Sequence, residues 1–165
     1  CPVVVVRKDN DVTAENKYGP VVVGVDGSEV SRQALRIAFR EAEARGALLR
    51  AIHSWTDSQI HTSYVGLVDA QNQMDRMIVE RQDMMEDELK DLIKEFPSVQ
   101  VEEIVERERP VQSLTEAAKD AQLLVVGSHG RGGFKGMLLG STSRTLLQYS
   151  PCPLMVVRPK DSKKR

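Results

Sequence analysis

Five glycines fall within residues 127–136, directly after a short apolar run. Gly127-Ser128-His129-Gly130 opens this stretch, and after nine further residues Gly140-Ser141 follows. Glycines after a buried strand let backbone N–H groups approach a phosphate without a Cβ in the way. Ser141 stands where a helix begins, and a helix N-terminus favours an anion. The spacing suits a phosphate site. A flexible glycine loop before an ordinary serine cap would have the same sequence pattern.

Side chains around this stretch could strengthen an anion site. Arg131 and Lys135 add positive charge, and the hydroxyls of Ser141, Thr142 and Ser143 can donate hydrogen bonds. The stretch is not a P-loop, because no Gly-Lys-Ser/Thr follows it. It is not the dinucleotide fingerprint either, which should follow the first strand.

The other residues able to do chemistry form no catalytic pattern. His53, His61 and His129 lack the spacing of metal ligands, which argues against a zinc site. We expect His53 to be structural. Cys152 lies between two prolines and is predicted to be a buried turn residue rather than a nucleophile. We therefore nominate no catalytic residue.

The apolar segments alternate between strand and helix patterns. Segments at 21–25, 47–54, 99–105, 123–126 and 153–157 predict five strands, and segments at 30–42, 71–96, 110–118 and 141–149 have helical spacing. Ser28 and Gly46 suit the two ends of the first helix, and Pro110 suits the start of the third. This alternation predicts a doubly wound parallel sheet with helices on both faces.

Such a sheet binds its ligand outside the carboxyl ends of its strands, where the winding reverses. The Asp26-Gly27-Ser28 turn and the glycine-rich stretch each follow a buried strand, so we expect them to meet there. Asp26 could also simply order its turn. Residues 55–70 carry no period and predict a long loop, of a kind that is often functional.

Length and composition exclude several classes of protein. The 165 residues suit one α/β domain, and 41% hydrophobic with 28% charged residues excludes a mainly disordered chain. No apolar run reaches the ~20 residues of a membrane span. A net charge of -1 predicts no nucleic acid or membrane partner. Two cysteines make no disulfide framework, so we expect a cytoplasmic protein without a signal peptide.

A short repeat links the two ends of the chain. The sequence CPVVVVR at 1–7 matches CPLMVVR at 152–158 in register. Chance similarity between two β-prone runs is the alternative. The repeat predicts that residues 1–8 are the last strand of a preceding homologous domain and residues 9–19 a linker. Residues 20–160 then form the main domain, and residues 161–165 a tail.

Taken in order, these motifs resemble those of the universal stress proteins, over residues 20–160. The specific element is the family's ATP-binding signature G-x2-G-x9-G-(S/T), which Gly127, Gly130, Gly140 and Ser141 match. The sequence VGVDGS at 23–28 and the Pro-Cys-Pro before the last strand are also similar to the family. The repeat then makes this chain similar to the second domain of a tandem member.

The resemblance implies a doubly wound, open parallel sheet of five strands in the order 3-2-1-4-5, with helices on both faces. It implies binding of ATP or another adenine nucleotide, with Mg²⁺ as a further candidate ligand. Two positions depart from the family: Thr142 is often Val, and Glu108 replaces the glycine of a Gly-x-Pro turn. The positions implied to bind the nucleotide are Asp26, Ala51, Gly127, Gly130, Arg131, Gly140, Ser141 and Thr142.

The function implied is that of a stress-response regulator whose conformation or assembly responds to the nucleotide, with slow ATP hydrolysis left open. One alternative is an interaction scaffold that no longer binds nucleotides, which the intact signature disfavours. Another is an adenylating enzyme, whose Ser-Gly-Gly-x-Asp-Ser turn is absent here. In the family the last strand commonly pairs with its counterpart in a second domain or subunit. We therefore expect a homodimer or a tandem pair, with residues 3–6 antiparallel to residues 154–157.

We predict that Gly140→Ala or Ser141→Ala weakens ATP binding by about 1–3 kcal/mol. The alanine either obstructs the approach of a backbone N–H group or leaves a phosphate oxygen without its donor. Calorimetric titration measures the effect, and unchanged affinity in both variants would place the phosphates elsewhere.

Overall fold

The computed structural model describes residues 2–6, 18–56, 67–130 and 139–159, with side chains omitted at 67–73. The strands of this part are β1 (Val3–Val5), β2 (Val21–Gly24), β3 (Leu49–Ser54), β4 (Val101–Glu106), β5 (Leu123–Gly127) and β6 (Leu154–Val157). Its helices are α1 (Glu29–Arg45), α2 (Leu67–Glu95), α3 (Pro110–Ala117) and α4 (Ser141–Tyr149). The strands form one sheet in the order β1-β6-β5-β2-β3-β4.

The winding of the sheet reverses between β2 and β5. These two strands are parallel neighbours, with Val21 opposite Leu123 and Val23 opposite Val125. Strands β3 and β4 continue the parallel sheet on one side, and β6 continues it on the other. The five parallel strands therefore have the predicted order 3-2-1-4-5. The segments that follow β2 and β5 therefore leave the sheet side by side, at the carboxyl ends of the strands.

Each face of the sheet carries its own apolar core. On one face, α1 and α2 pack on alternate strand residues such as Val21 and Val23, and the rings of Phe39 and Phe96 stack at 5.5 Å. On the other face, α3 and α4 pack around Val22 and the intervening positions of the other strands. The central strands are buried on both sides, as their continuous apolar runs predicted.

The helix ends follow from local chemistry, with one correction. Ser28 caps α1 by accepting a hydrogen bond from the backbone of Ser31, and Gly46 ends the helix at φ 59°. Both caps were predicted, as was Pro110 in the first turn of α3. The predicted loop at 55–70 is wrong over its last four residues, because α2 already begins at Leu67. No glycine or proline separates that segment from the rest of α2. Of the rest of the predicted loop, residues 55–56 are neither helix nor strand, and residues 57–66 lie outside the described residues.

Strand β1 adds an antiparallel strand to the predicted five. It pairs Val3 with Val156, Val4 with Met155 and Val5 with Leu154, which confirms the pairing expected of the two ends. In the CPVVVVR repeat Val4 corresponds to Met155, so two equivalent residues face each other across a local two-fold axis. Val4 is nevertheless 49% exposed, whereas Met155 is 6% exposed. Among the described residues, β1 is therefore an exposed edge strand, whereas its repeat partner β6 is packed within the sheet.

The two edges of the sheet differ in charge. Strand β4 carries Glu102, Glu103 and Glu106, and charged side chains discourage pairing with another strand. Strand β6 carries no charged side chain, and its edge is covered by β1. Without β1, β6 would therefore be the edge strand of this domain that is prone to pair with another strand.

We predict that deleting residues 1–8 shifts the protein toward a dimer or an aggregate, because the apolar edge of β6 loses its partner. Light scattering after gel filtration measures the mass against that of the intact chain. In the truncated chain, Met155→Cys tests the geometry: two β6 strands in the same two-fold register bring the cysteines within disulfide reach. The same substitution in the intact chain, where Val4 occupies this place, is the control. A truncated chain with the mass of a single copy would contradict the prediction.

Candidate functional site

A cavity of about 460 Å³ lies at the carboxyl ends of β2, β3 and β5. At one end, apolar side chains of Ile52 and Leu114 line it, together with Pro110. At the other end it is lined by the start of α4 and by glycine backbone. The predicted site residues that line this cavity are Asp26, Gly127, Gly130, Gly140, Ser141 and Thr142. The cavity thus combines an apolar end with a polar end at the predicted switch point.

The turn after β2 is held by a closed ring of three hydrogen bonds. Asp26 Oδ1 accepts from the backbone N–H of Ser28 at 2.9 Å. Ser28 Oγ accepts from the backbone N–H of Ser31 at 3.2 Å, and Ser31 Oγ accepts from that of Asp26 at 3.0 Å. Each side chain satisfies a backbone donor of another member. The ring fixes the carboxylate of Asp26 at the cavity wall, so the turn-ordering and ligand-facing interpretations of Asp26 are compatible.

Gly130 reaches the same wall from the other side. A Cβ at this position would collide with Oδ2 of Asp26. The glycine therefore allows the loop after β5 to approach the turn after β2. This close approach is the steric reason for one glycine of the signature.

His53 supports the turn after β2 through a hydrogen bond to the residue that precedes Asp26. It is buried on β3, and its Nδ1 lies 2.7 Å from the carbonyl oxygen of Val25. Because a carbonyl can only accept, Nδ1 carries the proton of this hydrogen bond. The predicted structural role of His53 is confirmed.

The start of α4 is open to a ligand. Gly140 is its N-cap and supplies no side-chain acceptor for the first N–H groups of the helix. Its own N–H donates to the carbonyl of Ser128 at 2.7 Å. Ser143 Oγ donates to the carbonyl of Gly127 at 2.7 Å, so the expectation that its hydroxyl serves a ligand is wrong. The hydroxyls of Ser141 and Thr142 remain at the cavity wall.

Two predicted site residues stand apart. Ala51 is fully buried within β3, where it pairs with Val23 and Glu103, and its side chain packs in the core under α1 and α2. Its backbone contact with adenine stays a prediction. Arg131 lies outside the described residues.

Ile52 and Ser54, which the sequence did not single out, line the cavity at the end of β3. Alternate residues of a strand share one face. This two-residue period places Ile52 and Ser54 on the face of β3 opposite Ala51. The period was therefore the sequence signal that could have identified the two residues.

At the substituted turn before α3, the carboxylate of Glu108 is used by hydrogen bonds within the turn and the helix. Glu108 Oε1 accepts from the backbone N–H of Arg109 at 2.7 Å, and its Oε2 accepts from Gln112 Nε2 at 3.3 Å. The carboxylate therefore serves the first turn of α3, where an acidic group is favourable.

Within the described ranges, no group of three or more histidine, cysteine or acidic side chains could hold a metal ion. In this part of the chain, no helix is long and apolar enough to cross a membrane.

Comparison with known proteins gives one family. The sequence profile of the universal stress protein family matches residues 17–158. A universal stress protein of Mycolicibacterium smegmatis is 42% identical over 159 residues, and one of Mycobacterium tuberculosis is 39% identical over 159 residues. Each match covers 96% of this chain and 52% of the relative. The chain thus spans about half the length of these curated relatives.

Solved structures share the fold. Universal stress protein UspA from Lactobacillus plantarum superposes with a TM-score of 0.72 at 21% identity, covering 86% of this chain and 98% of that one. A universal stress protein in complex with cAMP gives 0.62 at 26% identity, covering 87% and 98%. The universal stress protein from Archaeoglobus fulgidus in complex with dAMP gives 0.60 at 25% identity, covering 85% and 98%.

Cys152 is predicted to be unreactive in the folded protein. It is 2% exposed, and burial raises the pKa of its thiol to about 11. Only about 0.1% of such a thiol is the nucleophilic thiolate at pH 8. With Cys1→Ser leaving Cys152 as the one thiol, we expect iodoacetamide at pH 8 to label denatured but not native protein. Rapid labelling of the native protein would contradict the buried position.

Proposed function

This chain belongs to the universal stress protein family, and from that premise we propose that it binds an adenine nucleotide in the cavity at the ends of β2 and β5. One observation carries the proposal: the uncapped start of α4 opens onto the same cavity as Gly127, Gly130 and Gly140. Backbone N–H groups at a helix start bind phosphate without a dedicated cation. The relatives solved with cAMP and dAMP support this ligand class.

The two ends of the cavity fit the two ends of such a ligand. An adenine ring is mostly apolar surface, which the walls formed by Ile52, Pro110 and Leu114 can bury. Phosphates need donors and positive potential, which the start of α4 supplies through its backbone and through Ser141 and Thr142. We therefore place the base beside α3 and the phosphates at α4.

We propose ATP as the nucleotide, bound with Mg²⁺. Mg²⁺ on a nucleotide is held by one or two carboxylates, by phosphate oxygens and by water. Asp26 is the carboxylate that the described part of the chain places at the cavity. Its Oδ1 accepts a backbone hydrogen bond from Ser28 that holds the carboxylate at the cavity wall, and carboxylate oxygens are the ligands that Mg²⁺ prefers. When bound, the cation would neutralise phosphate charge.

We further propose a regulatory role in which the nucleotide biases assembly. Two hydrogen bonds connect the β1–β6 pair with the phosphate end of the cavity. The carbonyl of Val157 on β6 accepts from the N–H of Ser128, and the carbonyl of Ser128 accepts from the N–H of Gly140, both at 2.7 Å. A ligand that orders the start of α4 would therefore stabilise the strand to which β1 pairs.

The domain organisation belongs to the same proposal. Residues 1–8 are the last strand of a preceding domain, residues 9–19 a linker, residues 20–160 the nucleotide-binding domain and residues 161–165 a tail, in a cytoplasmic protein. The repeat between β1 and β6 supports this division, as do relatives about twice as long.

Calorimetric titration of the intact chain tests the ligand. ATP, ADP, AMP and cAMP are compared with and without Mg²⁺. We expect saturable binding of ATP that Mg²⁺ strengthens. A chain that binds none of the four would favour the scaffold alternative.

We predict that Gly140→Asp changes stability and binding in opposite directions. Gly140 has φ -70° and ψ 164°, and a Cβ there meets nothing closer than 3.5 Å, so aspartate fits. Its carboxylate would cap α4 and raise the free energy of unfolding by about 0.5–1 kcal/mol. It would also occupy the N–H groups that the phosphates need and repel them, which lowers ATP affinity at least about tenfold.

Thermal unfolding and calorimetry together measure the two effects. Gln100→Glu is the matched control, because it adds the same charge on an exposed side chain at the amino end of β4, the opposite edge of the sheet. ATP affinity that survives in Gly140→Asp would show that the phosphates do not sit on α4.

A further inference from the structure

One buried serine differs from the others in how its hydroxyl is used. Four buried serines each have a partner for the hydroxyl: the carboxylate of Glu106 for Ser113, the imidazole of His129 for Ser128, and backbone carbonyls for Ser143 and Ser150. Ser31 is also buried, and its Oγ accepts from the backbone N–H of Asp26 at 3.0 Å. Within the described part of the chain, the Ser31 hydroxyl proton has no acceptor.

Ser31 lies at the middle of the cavity wall. It is 3% exposed, belongs to the first turn of α1 and lines the cavity. Its backbone nitrogen is 3.5 Å from the place that a Cβ of Gly127 would occupy. The residue therefore stands where the turn after β2 meets the end of β5, between the apolar end and the start of α4.

We propose that the Ser31 hydroxyl contacts the bound nucleotide by donating a hydrogen bond to a ribose hydroxyl oxygen. This inference rests on the proposed function. With the base beside α3 and the phosphates at α4, the sugar occupies the middle of the cavity. A ribose hydroxyl both donates and accepts a hydrogen bond. The Ser31 hydroxyl has a proton to donate and so complements the acceptor side of such a group, while the Asp26 carboxylate serves the magnesium ion on the phosphates.

A purely structural role for Ser31 makes a different prediction. If its hydroxyl only held the Asp26 turn, removing it would weaken every ligand that touches this turn. The loss of affinity would then be the same for nucleotides with and without ribose hydroxyls. A direct contact instead ties the loss to the ribose, because a donor cannot contribute to a ligand that lacks its acceptor.

The test is a cycle of protein and ligand changes. Wild type and Ser31→Ala are titrated with ATP and with 2′,3′-dideoxy-ATP under identical magnesium. We expect Ser31→Ala to lower ATP affinity about 5–20-fold and to change the affinity for the dideoxy nucleotide by less than about twofold. Ser150→Ala is the matched control: it removes another buried hydroxyl, whose proton goes to the carbonyl of Cys152, and should leave both affinities unchanged.

Each remaining outcome has one meaning. Equal losses for the two nucleotides, or no loss for ATP, overturn the ribose contact while leaving nucleotide binding intact. A wild-type chain that binds neither nucleotide overturns the proposed function itself. If Ser31→Ala does not fold, as judged by thermal unfolding, Ser31→Cys replaces it. The thiol keeps a heavy atom at this position but is a weak donor, so the loss of affinity should again be confined to ATP.

Discussion

The parallel pairing of β2 with β5 is the constraint on which the rest of the structure depends. These strands are far apart in sequence, yet the register of Val21 with Leu123 brings their carboxyl ends to one edge. The connections leave in opposite directions, so α1 and α2 cover one face and α3 and α4 the other. No helix of the described residues covers the point of divergence, and the cavity lies there.

The local chemistry at this edge serves both folding and ligand binding. The hydrogen-bond ring of Asp26, Ser28 and Ser31 satisfies three backbone donors that a tight turn would otherwise leave open. The same ring aims a carboxylate at the backbone of Gly130. Rigid turns of this kind hold a site in place before the ligand arrives, which lowers the entropic cost of binding.

At the far edge of the sheet, β6 is covered by a strand whose sequence repeats its own. The equivalence of Val4 and Met155 in the repeat makes the β1–β6 pair symmetric in register, as an interface between two similar units would be. Among the described residues no strand lies beyond β1, and its uncharged side chains contrast with the charged edge at β4. The curated relatives are about twice as long as this chain.

The sequence by itself determined the alternation of strands and helices and the caps of α1, because these depend on local apolar patterns and on short-range hydrogen bonds. The order of the strands and the glycines of the cavity were implied by the resemblance to the family. Only the tertiary structure decided where several side chains are used. The Ser143 hydroxyl donates to Gly127, Ile52 and Ser54 line the cavity wall, and the Ser31 hydroxyl proton has no acceptor among the described residues. Such outcomes depend on strand phase and on partners distant in the chain, which packing alone brings together.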